Sequence, residues 1–164
     1  MPRKKKKRKL LFIVSTATHL ICVLIGFASG IYSLPIIVAP EKPSEARVDK
    51  VVEESIYETF FVKNLPGSDF FHWAEGQVSI SNKSIAFQGK MSPGPGYHLY
   101  VSRNYVDNEK SFLEVKNNAL LYGIVNTFNG FIVMNSYEVD VKEFTTIIIW
   151  CEPFSEFITA AKYQ

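Results

Sequence analysis

Three side chains beyond residue 40 have the types that redox or metal chemistry uses: Cys151, His72 and His98. The other thiol, Cys22, lies inside an apolar N-terminal stretch. Brought together, Cys151 and the two imidazoles supply three ligands for a metal or haem. Their spacing does not require that arrangement, because it contains no H-x-x-H, no H-E-x-x-H and no second cysteine nearby. A dithiol cycle of the thioredoxin type within one chain is excluded, since Cys151 has no C-x-x-C partner. A single thiol can still enter a mixed disulfide, become a sulfenic acid or ligate a metal. Reactivity calls for an accessible sulfur with nearby positive charge, and the neighbouring Glu152 works against it. The bland alternative is a small buried hydrophobe. The apolar run Thr145-Thr146-Ile147-Ile148-Ile149-Trp150-Cys151 favours it. On a regular strand His98 shares a face with Tyr100, opposite Tyr97 and Leu99. His72 stands between Phe71 and Trp73 at a loop or strand start. Both histidines read most simply as partly exposed polar residues.

Ser92-Pro93-Gly94-Pro95-Gly96-Tyr97 is the other candidate. Two prolines stiffen it, and a preorganised loop loses little entropy on binding. With Tyr97, Tyr100 and Tyr105 close in sequence, it reads as a binding edge for a partner or glycan, or simply as a reversal between strands. No G-x-S-x-G elbow and no phosphate-binding loop occurs. Asp69, Glu75, Asp107 and Glu109 have no spacing that places them in one cleft; Asp107 and Glu109 suit the start of a helix. A conventional enzyme with its own substrate is the least supported reading. The sequence names no cofactor.

These residues must be positioned by what precedes them. Arg3 to Lys9 is an unbroken basic run, and no Asp, Glu, Lys or Arg occurs from Leu10 to Pro40. The apolar stretch from Leu10 reaches the roughly 20 residues that a membrane-crossing helix needs. Pro35 is expected to end it, lacking an N–H and clashing with the preceding turn. Basic residues before a first span hold that end in the cytoplasm. The organisation expected is a basic cytoplasmic tail over 1–9, an anchor over 10–34, a linker over 35–55 and an extracytoplasmic domain over 56–164, at the cytoplasmic membrane. Ala28-Ser29-Gly30 offers a signal-cleavage site, but the apolar core before it exceeds the roughly 7–15 residues of a signal peptide, which favours an uncleaved anchor. Ser15, His19, Cys22, Gly26 and Gly30 fall on one helical stripe. Gly26 and Gly30 form a small-xxx-small pair suited to helix–helix contact, with a second copy or a partner.

Beyond Pro40 there are sixteen acidic and eleven basic residues, a net charge of −5. That argues against nucleic-acid binding by the folded part, which would want a basic face. The stretch 41–54 is charged, contains Pro43 and holds too little apolar surface to order itself. Val48, Val51 and Val52 are spaced for a short helical turn against the domain.

From Tyr57 onward the pattern alternates with period two. Strands are expected at 77–81, 84–88, 97–103, 120–126, 131–135, 145–151 and 154–163, with the 145–151 strand central because it is apolar on both faces. Asn129-Gly130 predicts a hairpin between 120–126 and 131–135. The one helix expected spans 107–118, with Phe112, Leu113 and Val115 apolar. Many short strands with frequent turns predict an all-β domain, an antiparallel β-sandwich or small barrel, after one transmembrane helix.

Gly94-Pro95-Gly96-Tyr97-His98-Leu99-Tyr100-Val101, Gly123 with Phe128-Asn129-Gly130-Phe131, and the run from Thr145 to Phe154 followed by Phe157-Ile158-Thr159-Ala160-Ala161 resemble the DM-thirteen ("electron transfer DM") domain family. The resemblance covers about Phe60 to Tyr163, and the anchor looks like that of membrane-tethered bacterial members. It implies a β-domain with a redox cysteine at the position of Cys151, and a partner such as a membrane redox protein or b-type cytochrome. The chain departs from the family's pattern at Gly96, where Asp is usual after Gly-Pro. The reading that follows is a membrane-anchored redox or electron-transfer accessory module. The alternative is a non-catalytic envelope interaction or scaffold domain with Cys151 in its core.

Overall fold

The computed structural model describes residues 2–164, with side chains from Lys5 onward. The side chains of Arg3 and Lys4, at the head of the basic run, lie outside the described residues.

The N-terminal helix α1 spans Pro2–Val38. Its 37 residues give a rod of about 55 Å at 1.5 Å per residue. Most of its apolar side chains from Leu10 to Val38 face outward, with Phe12 and Ile37 both more than 70% exposed, while Ile31 and Pro35 are half-buried beside the domain. A run of this length and composition, unburied by protein, is long and apolar enough to cross a membrane. Pro35 does not end it. The helix continues through Pro35 to Val38, although Pro35 leaves the Ile31 carbonyl without its usual N–H partner. One missing hydrogen bond near a helix end is a small loss, and the half-buried ring faces the recess between the helix and the domain.

The charged stretch that follows is ordered by the domain rather than by itself. Helix α2, Glu45–Glu53, buries Val48 and Val51 against Ala86, with Ile132 packed alongside. The i, i+3 spacing of the two valines gives an otherwise polar helix one narrow apolar stripe.

Among the described residues, eight strands form two antiparallel four-stranded sheets packed as a sandwich. They are β1 Tyr57–Phe61, β2 Ala74–Ile80, β3 Ser84–Met91, β4 Tyr97–Ser102, β5 Leu120–Val125, β6 Phe131–Met134, β7 Thr146–Cys151 and β8 Glu156–Lys162. One sheet runs β1-β2-β3-β6 and the other β5-β4-β7-β8. β7 is central, paired with β4 and β8, and all six of its residues are buried. Its two faces explain why no alternation is visible. Ile147, Ile149 and Cys151 point into the core between the sheets, with Tyr97, Leu99, Phe87 and Val133. Ile148 and Trp150 point outward and are covered by helix α3, Glu109–Val115, through Phe112. Asn108, not Asp107, caps α3: its side chain accepts from Ser111 N at 2.9 Å in a reciprocal capping box.

The expected hairpin at Asn129-Gly130 does not form. β5 pairs with β4 and β6 with β3, so the connection passes from one sheet to the other. Gly130 still uses the left-handed freedom that the Asn-Gly signal advertises, at φ 99°. Both flanking strands have inward residues, Tyr122 and Val125 on β5 and Phe131 and Val133 on β6. These face one another across the core, which an edge-to-edge hairpin would not allow. A Cβ at Gly123 would run into Val133, which marks how closely the two layers approach there.

Candidate functional site

The antiparallel register brings one set of loops to a single end of the sandwich. Tyr97 at the start of β4 pairs with Cys151 at the end of β7, and Cys151 with Glu156 at the start of β8. Met91 closes β3 opposite Ala74, which opens β2. The segments at this end are therefore 68–73, the Pro93–Gly96 loop, 126–130 and 152–155. Helix α1 meets the domain here as well.

Cys151 sits beneath the Pro-Gly-Pro-Gly loop. It is 3% exposed, and its Sγ donates to the Pro95 carbonyl at 3.1 Å. Burial pushes its thiol above the ordinary range; the carboxylates of Glu156 and Glu152 push the same way, against a hydrogen bond from the Phe154 backbone. At neutral pH it is a protonated thiol. Tyr97, paired with it on β4, donates its hydroxyl to the Ser92 carbonyl at 3.1 Å and so ties the loop's first residue to its last. Burial raises Tyr97 well above the usual phenol range. Gly96 has φ 63° and its carbonyl accepts from Glu152 N at 3.1 Å. A Cβ there would stand 2.7 and 2.8 Å from the Pro153 ring. The position thus demands a left-handed backbone and leaves no room for a side chain unless Pro153 moves, which supplies a local reason for glycine here.

Cys151 nevertheless borders a cavity. A space of about 610 Å³ lies between α1 and the loops, lined by Ala28, Ser29, Ile31, Tyr32 and Ser33 on the helix and by Phe71, His72, Pro93, Gly94, Pro95, Tyr97, Cys151 and Phe154 on the domain. Among the described residues no Lys, Arg, Asp or Glu lines it. His72 is held there by an Asx-type turn, with Asp69 accepting from the Phe71 and His72 backbone at 2.7 and 2.8 Å. The other Asp69 oxygen meets His72 Nδ1 at 2.9 Å. Burial works to raise Asp69, but these hydrogen bonds and the His72 charge outweigh it and hold the carboxyl below its ordinary range. A second recess of about 400 Å³ lies on the far side of the same loop, lined by Leu34, Pro35, Val38, Gly94, Pro95, Gly96, Val125 and Phe128 among others.

Of the residues singled out in the sequence, the fold thus unites Cys151, His72, Pro93, Gly94, Pro95 and Tyr97, with Gly96 beside them. It does not unite His98. As expected, His98 shares the outer face of β4 with Tyr100, their rings 6.2 Å apart, while Tyr97 and Leu99 point to the core. The three-ligand arrangement of Cys151, His72 and His98 is therefore not assembled, and among the described residues no His, Cys, Asp and Glu cluster suited to a metal occurs. Tyr100 and Tyr105 do not flank the loop either: Tyr100 lies on the opposite face, and Tyr105 follows the far end of β4. Gly26 and Gly30 lie on the exposed helix with open space at their Cβ positions.

A polar cluster that the sequence did not reveal occupies that opposite face. Glu152 accepts from the Tyr100 hydroxyl and from Lys116 Nζ at 2.7 Å. Burial opposes its ionisation, but these hydrogen bonds and the charges of Lys116 and His98 hold Glu152 below the usual carboxyl range. Burial, then the Glu152 contact, raises Tyr100. His98 Nδ1 is 3.6 Å from Glu152, beyond hydrogen-bond reach, and it and the Trp150 Nε1 are buried without partners. Lys116 lies over the Trp150 ring at 5.0 Å. Only the adjacency of Glu152 to Cys151 hinted at this group; Lys116 arrives from the end of α3, far off in sequence.

A family model described as "Electron transfer DM13" matches residues 64–163, from the segment before β2 to the end of β8. No curated protein and no solved structure matches the chain.

Proposed function

The chain belongs to the electron transfer DM13 family, and from that premise we propose that it is a membrane-anchored redox accessory module in which Cys151 is the reacting group. The domain would sit at the outer face of the cytoplasmic membrane, with the basic tail inside and a membrane redox protein or b-type cytochrome as partner. The observation that carries this reading is that Cys151, otherwise sealed, borders an uncharged cavity whose opposite wall is the candidate span. The chemistry open to one thiol is exchange with a partner's disulfide. The Cys151 sulfur gives up its proton and bonds to one partner sulfur; the partner's S–S bond breaks and the second sulfur leaves with the electron pair and takes the proton. Nothing in the reading requires the chain to act as an enzyme on its own substrate.

The near-complete burial of Cys151 and its raised pKa favour a second reading, a scaffold or interaction domain with the thiol as core. Thiol alkylation of the full chain in a bilayer, followed by mass from neutral to alkaline pH, separates the two. A redox role requires labelling of Cys151 in the folded state, at a rate that climbs with pH beyond the roughly 8.5 of a free thiol. Labelling that appears only on unfolding makes Cys151 a packing residue.

A further inference from the structure

The cavity beside Cys151 points to a specific kind of ligand. Its volume of about 610 Å³ lies within the range of small-molecule sites, which are mostly apolar with a few placed polar groups. Aromatic residues line it on both sides, Tyr32 from the helix and Phe71, Tyr97 and Phe154 from the domain. Its polar side chains are the imidazole of His72, the thiol of Cys151 and the hydroxyls of Ser29, Ser33, Tyr32 and Tyr97, and the absence of charge among them selects a neutral molecule. A phospholipid headgroup would meet no compensating ion.

Depth decides where such a molecule would come from. A hydrocarbon core of roughly 30 Å spans about 20 helical residues, so a core beginning at Leu10 ends near Ser29. The helix wall of the cavity, Ala28 to Ser33, then falls at the outer edge of the bilayer. Side chains at this end of the sandwich agree: Phe70 is 86% exposed, Phe71 59% and Phe154 51%. Phe70 and Phe71 pack edge-to-face at 5.0 Å, forming an apolar tip with no protein cover. Aromatic rings at that depth are characteristic of membrane–water interfaces. A ligand dissolved in the bilayer can therefore reach the cavity laterally.

From these observations we infer that the cavity binds the head of a membrane quinone, a neutral planar ring with two oxygen atoms and an apolar tail that stays among the lipids. His72 donates Nδ1–H to the ionised Asp69, so its Nε2 can accept from a ring hydroxyl of the reduced quinone, while the hydroxyls of Ser29, Tyr32 and Ser33 on the helix wall are the donors for a ring carbonyl. The inference rests on the redox reading and on α1 as a span, and it concerns binding alone.

The test uses the full chain in quinone-free phospholipid nanodiscs. The probe is an azido-benzoquinone with a decyl tail, photolysed in place, with decylubiquinone as competitor. Labels are expected on the peptides carrying 28–33 and 71–72, suppressed saturably by decylubiquinone. Ser29→Trp, which fills the cavity from the exposed helix, is expected to weaken labelling about tenfold or more, one contact set of roughly 1.4 kcal/mol. Tyr32→Phe, which removes a donor hydroxyl from the helix wall, is expected to weaken it while leaving domain folding intact. Labelling that does not saturate, or that Ser29→Trp leaves unchanged, overturns the inference. Equal competition by decylbenzene, which has the tail and a ring without carbonyls, assigns the cavity to a lipid tail and likewise overturns it. Alkylation of Cys151 in the same nanodiscs keeps the two readings apart. A reactive Cys151 without saturable quinone labelling removes only the quinone; quinone labelling with an inert Cys151 removes only the redox cysteine.

Discussion

Gly96→Ala probes the loop that covers Cys151 from a single atom. The native φ of 63° places Gly96 in the left-handed region, where an L side chain costs roughly 1–2 kcal/mol. The added Cβ would also stand 2.7 Å from Pro153 Cδ and 2.8 Å from Pro153 Cγ. Overpacking of this kind typically adds about 1–3 kcal/mol, and the proline ring is too stiff to swing clear without moving the β7–β8 turn. The lower ends of the two terms together give about 2 kcal/mol. For a domain of this size each kcal/mol lowers Tm by about 4–8 °C, so a drop on the order of 10 °C is expected. Thermal and urea unfolding of the full chain in detergent, followed by Trp73 and Trp150 fluorescence, measures both. Pro153→Ala separates the terms. In the double variant the steric part vanishes and the backbone part of about 1 kcal/mol remains, a coupling readable as a double-mutant cycle. Because Pro95 O accepts from Cys151 Sγ, a loop displaced by Gly96→Ala also speeds alkylation of the thiol. A Gly96→Ala protein as stable as the parent, within about 0.5 kcal/mol, would refute the reasoning from the left-handed turn and its contact with Pro153.

Glu152→Gln is expected to cost about 1–2 kcal/mol at neutral pH, the loss of charge on an acceptor serving Tyr100 and Lys116. Because Glu152 is held below its ordinary range in the fold, its stabilisation is present above the unfolded value of about 4.3 and fades as pH falls through the folded one; parent and variant should converge in acid denaturation. Trp150→Ala removes a fully buried ring packed at a tilt against Phe112, centroids 4.9 Å apart, and should cost about 3–5 kcal/mol in urea unfolding. Phe70→Trp in vesicles should fluoresce at shorter wavelength than in detergent-free buffer and be quenched by lipids brominated near the glycerol backbone. Unquenched emission would place that end of the sandwich away from the bilayer.

Period-two alternation and turn chemistry made most of the strands legible, and the doubly apolar Thr145–Cys151 run revealed the centre of a sheet because both of its faces are covered. What failed was pairing. Asn129-Gly130 specifies a local backbone, and a local backbone does not say whether the next strand returns to the same sheet or crosses to the other. That choice was made by Tyr122, Val125, Phe131 and Val133, which bury better against one another across the layers. Pro35 erred in the other direction: a rule about one lost hydrogen bond did not outweigh a helix already nucleated over many turns. The placing of His72 and Cys151 on one cavity, and the arrival of Lys116 at Glu152, depend on register between distant strands, which no spacing along the chain encodes.

The raised pKa of Cys151 is usually a mark against reactivity, but its direction depends on which reaction is asked of the thiol. A thiolate nucleophile poised in water would want cationic neighbours, and Cys151 has carboxylates instead. In an uncharged cavity, the protonated form is the one that can reside without a counterion. Exchange with a partner's disulfide must then pass that proton to the leaving sulfur, directly or through a group bordering the cavity, and those groups are few. Pro95 O already takes the hydrogen bond, while His72, paired through Nδ1 with an ionised Asp69, turns its other ring nitrogen to the same cavity wall as a candidate relay. We therefore expect a redox role for Cys151 to draw on the His72–Asp69 pair. Asp69→Asn should leave the sandwich folded, yet shift the pH dependence of the exchange of Cys151 with an added small disulfide in the bilayer. If that profile is the same in the parent and the variant, proton transfer through the His72–Asp69 pair is refuted.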